Sequence, residues 1–85
     1  MKTRTELPDP FEVVAKALGC PTMSISLDSA MYRDHGWDSF GHVRVIIALE
    51  EAYGIRLDDQ TVQMLATMKE IQQLFDRIRG GQTDR

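Results

Sequence analysis

Cysteine occurs once in this chain, as Cys20, so an internal disulfide and a cysteine zinc cluster are both excluded. No apolar run approaches the ~20 residues needed to span a bilayer, and nothing near Met1 reads as a secretory signal. The expectation is a protein of the reducing cytoplasm without membrane insertion. Basic residues number 10 against 13 acidic ones, for a formal net charge of -3, which leaves no broad cationic surface for nucleic acid. A protein partner with a basic docking surface suits that balance better. At 85 residues the chain has the length of one domain, and such a domain buries only about 60–65% of its unfolded surface. A deep catalytic cavity is not expected in it.

What the chain does have is clear helix punctuation. Residues 1–8 are polar and charged and read as a flexible end, residues 9–79 as the folded domain, and 80–85 as a flexible tail. Asp9-Pro10-Phe11-Glu12 combines an N-cap, a proline at the first helical position and a glutamate three residues after the cap. The helix it opens carries Val13, Val14, Ala17 and Leu18 and stops at Gly19, with Pro21 beyond. A long connection from Cys20 to Trp37 follows, rich in turn residues and pinned by Ile25, Leu27 and Met31; loops of this length in small domains are often functional. A second helix runs from its cap Asp38 to Tyr53, with Gly54 as left-handed terminator. Ile55-Arg56-Leu57 has no partner strand and reads as a loop. Asp58 or Asp59 then caps a short helix through Val62, Met64 and Leu65. Thr67-Met68-Lys69-Glu70 is a capping box for a last helix bearing Met68, Ile71, Leu74, Phe75 and Ile78, ended by Gly80-Gly81. The fold class is all-α: a small four-helix bundle, three main helices plus a short third one, with a long first loop.

Ser39 stands at the first turn of the longest helix, where unpaired backbone amides and the positive end of the helix dipole favour an anion. A phosphodiester on its hydroxyl would be well placed there. At 100° per residue, Val45, Ile46, Leu49, Ala52 and Tyr53 share one face of this helix, a natural core face. Phe40, Val43 and Ile47 form a second apolar stripe, flanked by Arg44, Glu50 and Glu51. Two explanations stand for that stripe: a central helix contacted on several sides, or a ridge that docks a partner.

These features together carry a resemblance. Asp38-Ser39-Phe40 after a glycine-containing loop, Ala48-Leu49-Glu50-Glu51, Tyr53-Gly54-Ile55, a short third helix and a Thr-capped fourth resemble the acyl carrier protein family, over about Phe11 to Phe75. The resemblance implies that Ser39 receives 4′-phosphopantetheine from coenzyme A through a Mg²⁺-dependent phosphopantetheinyl transferase, making the chain a phosphoprotein. It further implies a monomeric carrier, not an enzyme, whose arm holds acyl or aminoacyl groups as thioesters. An acyl- or aminoacyl-loading ligase and downstream transferases would be its partners. Asp38 caps the helix and, by the same resemblance, stands near the transferase's Mg²⁺; His42, one turn after Ser39, is a candidate hydrogen-bond donor to the phosphate. A cargo niche between the second and third helices would be lined by Ile46, Ile47, Met64 and Leu65.

Departures from the family pattern bear on its pathway. Fatty-acid carriers place acidic residues soon after the serine, whereas Gly41, His42 and Arg44 occupy that zone here, and only Glu50 and Glu51 keep the acidic character. The Trp37-Asp38-Ser39-Phe40-Gly41 run resembles stand-alone carriers of specialised biosynthesis, including those of cell-surface polysaccharide clusters, and Asp-Ser-Phe-Gly resembles D-alanyl carrier proteins. That points to a dedicated pathway instead of bulk fatty-acid synthesis. Two other readings remain: an unmodified helical interaction module of the same fold, and a small hydrolase using Ser39 with His35 or His42. The hydrolase reading lacks a third residue to orient the histidine.

Overall fold

Local capping chemistry sets the helix boundaries in the computed structural model, which describes residues 7–33 and 36–80. The expected flexible ends fall mainly in 1–6 and 81–85, outside the described residues, as do Asp34 and His35. Helix α1 (Pro10–Leu18) begins where the Asp9 carboxylate accepts the Phe11 amide at 3.1 Å. It ends at Gly19, whose left-handed backbone (φ 75°) lets the Cys20 amide reach back to the Ala15 carbonyl at 3.0 Å. Helix α2 (Ser39–Tyr53) is capped by Asp38, which accepts the Gly41 amide at 2.8 Å, and closes at Gly54 with Ile55 N–H on the Glu50 carbonyl. Of the two aspartates before the short helix α3 (Asp59–Met64), Asp58 is the cap, taking the Thr61 amide at 2.8 Å. That bond holds the Asp58 carboxyl below its ordinary range. Helix α4 (Met68–Gly80) opens with Glu70 N–H donating to Thr67 Oγ1.

The core lies between these elements. Val14, Ala15 and Leu18 of α1 meet Val45, Ile46, Leu49 and Tyr53 of α2, and Leu65, Met68, Ile71 and Leu74 complete it. Helix α1 packs chiefly on α2. Buried aliphatic side chains of this kind each contribute about 1.5–3 kcal/mol relative to exposure. Tyr53 packs against Phe75 with the rings tilted at 50° and centroids 5.5 Å apart, and donates its hydroxyl to the Pro8 carbonyl at 2.8 Å. Burial first, and the Asp9 carboxylate second, push that phenol up to about 12.

The connection from α1 to α2 is more structured than its composition predicts. A 3₁₀ turn spans Thr22–Ser24, and Ser29, buried, receives the Ser26 amide on its hydroxyl at 3.0 Å. Ala30 and Thr67 form an isolated antiparallel bridge; Met31 N–H donates to Ala66 O at 2.8 Å and Met68 N–H to Ser29 O at 2.9 Å. Ile25 is buried and Met31 packs on the core, as their spacing predicts. Leu27, expected to pin the loop, is about half exposed because it sits in the turn closed by Ser26 and Ser29. Met64 is also 62% exposed, since α3 ends before it reaches the core and Leu65 takes the inward position.

Candidate functional site

Ser39 is the first residue of α2 and exposed. Three contacts arrange the turn beneath it. The Asp38 carboxylate is turned into the helix toward the Gly41 amide, the Asp38 carbonyl accepts His42 N–H at 2.7 Å, and the Asp38 amide donates to Gly36 O at 2.8 Å. With Gly41 held by the cap, the amides of Ser39 and Phe40 are the ones that a helix start leaves without an intrahelical partner. Their N–H groups and the dipole favour a negatively charged substituent on the exposed hydroxyl. Gly41 is buried against Gly36 and Leu18, and a β-carbon at that position would stand 2.6 Å from Gly36 O. Its small size is therefore required by the close approach of the loop to α2.

His42 is not the exposed imidazole the sequence leads one to expect. It is 6% exposed, its Nδ1 accepts the Trp37 indole N–H at 3.0 Å, and its Nε2 lies 2.9 Å from Val62 O. With Nδ1 accepting, Nε2 carries the proton and donates to the carbonyl. Both nitrogens are thus committed inside the domain, so neither is free to bind a phosphate on Ser39 or to act as its base. The ring lies at 29° to the buried Trp37, centroids 6.1 Å apart. Sequence reasoning missed this pairing; the lone tryptophan two residues before Ser39 was the available signal. His35 lies outside the described residues.

The second stripe on α2 stays uncovered: Phe40 is 70% exposed, Val43 54% and Ile47 49%. Its flanking charges differ from one another. Arg44 donates from Nε to Ala17 O at 3.2 Å and lies over the Phe40 ring at 5.2 Å, so it caps the C-terminal end of α1 while remaining exposed. Glu50, expected as a rim charge, is drawn back to accept the Leu57 amide on Oε2 at 2.9 Å, which anchors the loop after α2. Glu51 remains exposed. An open groove of about 720 Å³ runs between α1 and α2, with Val13, Ala17, Ile47 and Ala48 along it and Lys16 and Glu51 at its sides. The expected cargo niche does not gather as the sequence proposed: Ile46 and Leu65 are core residues, Met64 is exposed, and Ile47 lines the α1–α2 groove.

Tyr32, which the sequence gave no reason to single out, touches the site directly. Its phenol and the Ser39 hydroxyl share a hydrogen bond.

Comparison with known proteins follows the same lines. The family model describing the phosphopantetheine attachment site matches residues 11–75. An acyl carrier protein of Phaeodactylum tricornutum is 28% identical over 65 residues, covering 76% of this chain and 86% of that protein. An acyl carrier protein of Campylobacter hominis is 32% identical over 60 residues, 71% of this chain and 76% of that protein. One from Hordeum vulgare, named as chloroplastic, is 35% identical over 52 residues, 61% of this chain and 40% of that protein.

Proposed function

Because the chain belongs to the acyl carrier protein family, whose members are carriers and not enzymes, we propose that Ser39 is the residue that bears its covalent 4′-phosphopantetheine. The observation that carries this reading is the exposed Ser39 hydroxyl on the first turn of a capped helix, with the Asp38 carboxylate turned away from it toward Gly41. When bound, the arm supplies a terminal thiol for thioester-linked acyl or aminoacyl cargo. Attachment forms an Oγ–P bond at Ser39 as the pyrophosphate bridge of coenzyme A breaks, and the adenine-nucleotide portion leaves. The seryl proton passes to a base of the transferase, since His42 is engaged elsewhere. Asp38 holds the helix start, and a place beside the transferase's Mg²⁺ is compatible with its exposure.

The carrier unit in this reading is residues 9–79, working as a cytoplasmic monomer; the single Cys20 accords with a reducing compartment. Phe40, Val43 and Ile47 form its partner face, with Arg44 and Glu51 at the rim, because they are exposed apolar and charged groups of α2, the helix that Ser39 opens. Partners are the phosphopantetheinyl transferase, a loading ligase and downstream transferases. An apolar and partly cationic surface after Ser39, in place of an acidic one, supports service in one dedicated biosynthetic pathway over bulk fatty-acid synthesis.

Incubation with coenzyme A, Mg²⁺ and a broad-specificity phosphopantetheinyl transferase tests the attachment by intact mass. The chain gains one arm and Ser39→Ala gains none. Equal gain by the alanine variant removes Ser39 from the role, and no gain by the native chain favours an unmodified interaction module.

A further inference from the structure

Among the described residues of the loop before α2, one stands in a backbone conformation its type rarely adopts. Tyr32 has φ 67°, in the left-handed region that glycine, asparagine and aspartate usually fill. The surrounding contacts impose it: Tyr32 N–H donates to Trp37 O, folding the chain back on itself, and Trp37 is locked beneath by burial and by its bond to His42. The Tyr32 ring gains little from burial, being 73% exposed. Among the described residues, its side chain's polar contact is with Ser39 Oγ. Strain of this kind, held in place by its neighbours and aimed at a reactive atom, is characteristic of functional positions.

We propose that Tyr32 is the phosphate-holding residue of this site: its phenol fixes the Ser39 hydroxyl before modification and donates to the phosphodiester after it. Before attachment either oxygen can be the donor. Once Ser39 Oγ is esterified it has lost its hydrogen, so the tyrosyl O–H is the donor that remains, and the non-bridging phosphate oxygens beside it carry negative charge. An O–H donor to such an oxygen makes a shorter and stronger bond than one between two neutral hydroxyls. Three described polar side chains near the start of α2 are committed: His42 to Trp37 and Val62, Arg44 to Ala17, Asp38 to Gly41. Tyr32 would thereby restrain the root of the arm and leave its far end free to move.

This inference rests on Ser39 being the attachment residue, and the test separates the two. The native chain, Tyr32→Phe and Tyr32→Asn are loaded with coenzyme A and checked by intact mass, and the ³¹P resonance of the arm is then recorded. Asparagine accepts the left-handed backbone, so it separates loss of the phenol from loss of the loop's geometry. The expected result is that both variants load, that Tyr32→Phe unfolds near the native temperature and Tyr32→Asn at or above it, and that both show a ³¹P line displaced from the native one and narrower than it. Loaded proteins whose ³¹P lines coincide in position and width overturn the role of Tyr32 and leave Ser39 untouched. Absence of any mass gain in the native chain overturns the attachment reading and this inference with it.

Discussion

Replacing Gly41 by alanine sets two known effects against each other, and the structure decides the winner. In an open helix the change stabilises by about 0.5–1 kcal/mol, because glycine loses more backbone entropy on folding than alanine does. Here the added β-carbon would lie 2.6 Å from the backbone oxygen of Gly36 and 3.1 Å from Leu18 Cδ2. Ordinary C···O approaches are about 3.3–3.6 Å, so the oxygen must retreat by roughly 0.7 Å or more. It is not free to do so, since it accepts the Asp38 amide at 2.8 Å and belongs to a glycine at φ 74°. Overpacking of this kind costs about 1–3 kcal/mol, which outweighs the helix gain and leaves a net loss of about 1 kcal/mol. For a domain of this size that lowers Tm by about 4–8 °C. Thermal unfolding followed by the fluorescence of the buried Trp37 is the assay. Trimming the side chain in a Leu18→Val background should not restore stability, because the worst contact is with backbone. A Gly41→Ala protein as stable as the native chain, or more so, would refute the argument and show that the Gly36 turn yields freely.

Two further outcomes follow from the same packing. Val43→Asp should unfold within about 0.5 kcal/mol of the native chain, as surface substitutions do, while slowing loading by the cognate ligase or transferase; a large drop in Tm would instead assign Val43 to the core. Tyr53, raised to about 12, favours the folded state in its neutral form. Its contribution is complete below the unfolded-chain value near 10 and is lost as pH rises through about 12, so Tyr53→Phe should show a shallower fall in Tm than the native chain across that window. Parallel Tm curves for the two proteins would contradict the sign.

The helix boundaries were legible because capping is local chemistry. Asp9, Asp38, Asp58 and Thr67 each satisfy an amide two or three residues on, and Gly19 and Gly54 supply the left-handed ends, so residue type and spacing carry the information. The family pattern around Ser39 was legible for the same reason. His42 was misjudged because α2 carries apolar residues around much of its circumference, which hides which polar residue turns inward. Glu50 and Arg44 look like solvent charges in sequence, yet each reaches a backbone group on another segment, Leu57 N–H and Ala17 O. The contact of Tyr32 with Ser39 depends on a left-handed backbone that no residue type at that position announces.

The bridge between Ala30 and Thr67 has a consequence in time. The loop that presents Ser39 is fastened by Met31 to Ala66 and by Ser29 to Met68, residues made well after the serine itself. During synthesis, Ser39, α2 and their caps can leave the ribosome while those anchors are still unmade, and closing so long a stretch of chain carries an entropic cost that only the finished fold repays. A half-made chain therefore carries Ser39 on an unfastened loop. The geometry of that loop is completed at the entrance to the last helix, and the growing chain acquires it only when that entrance docks.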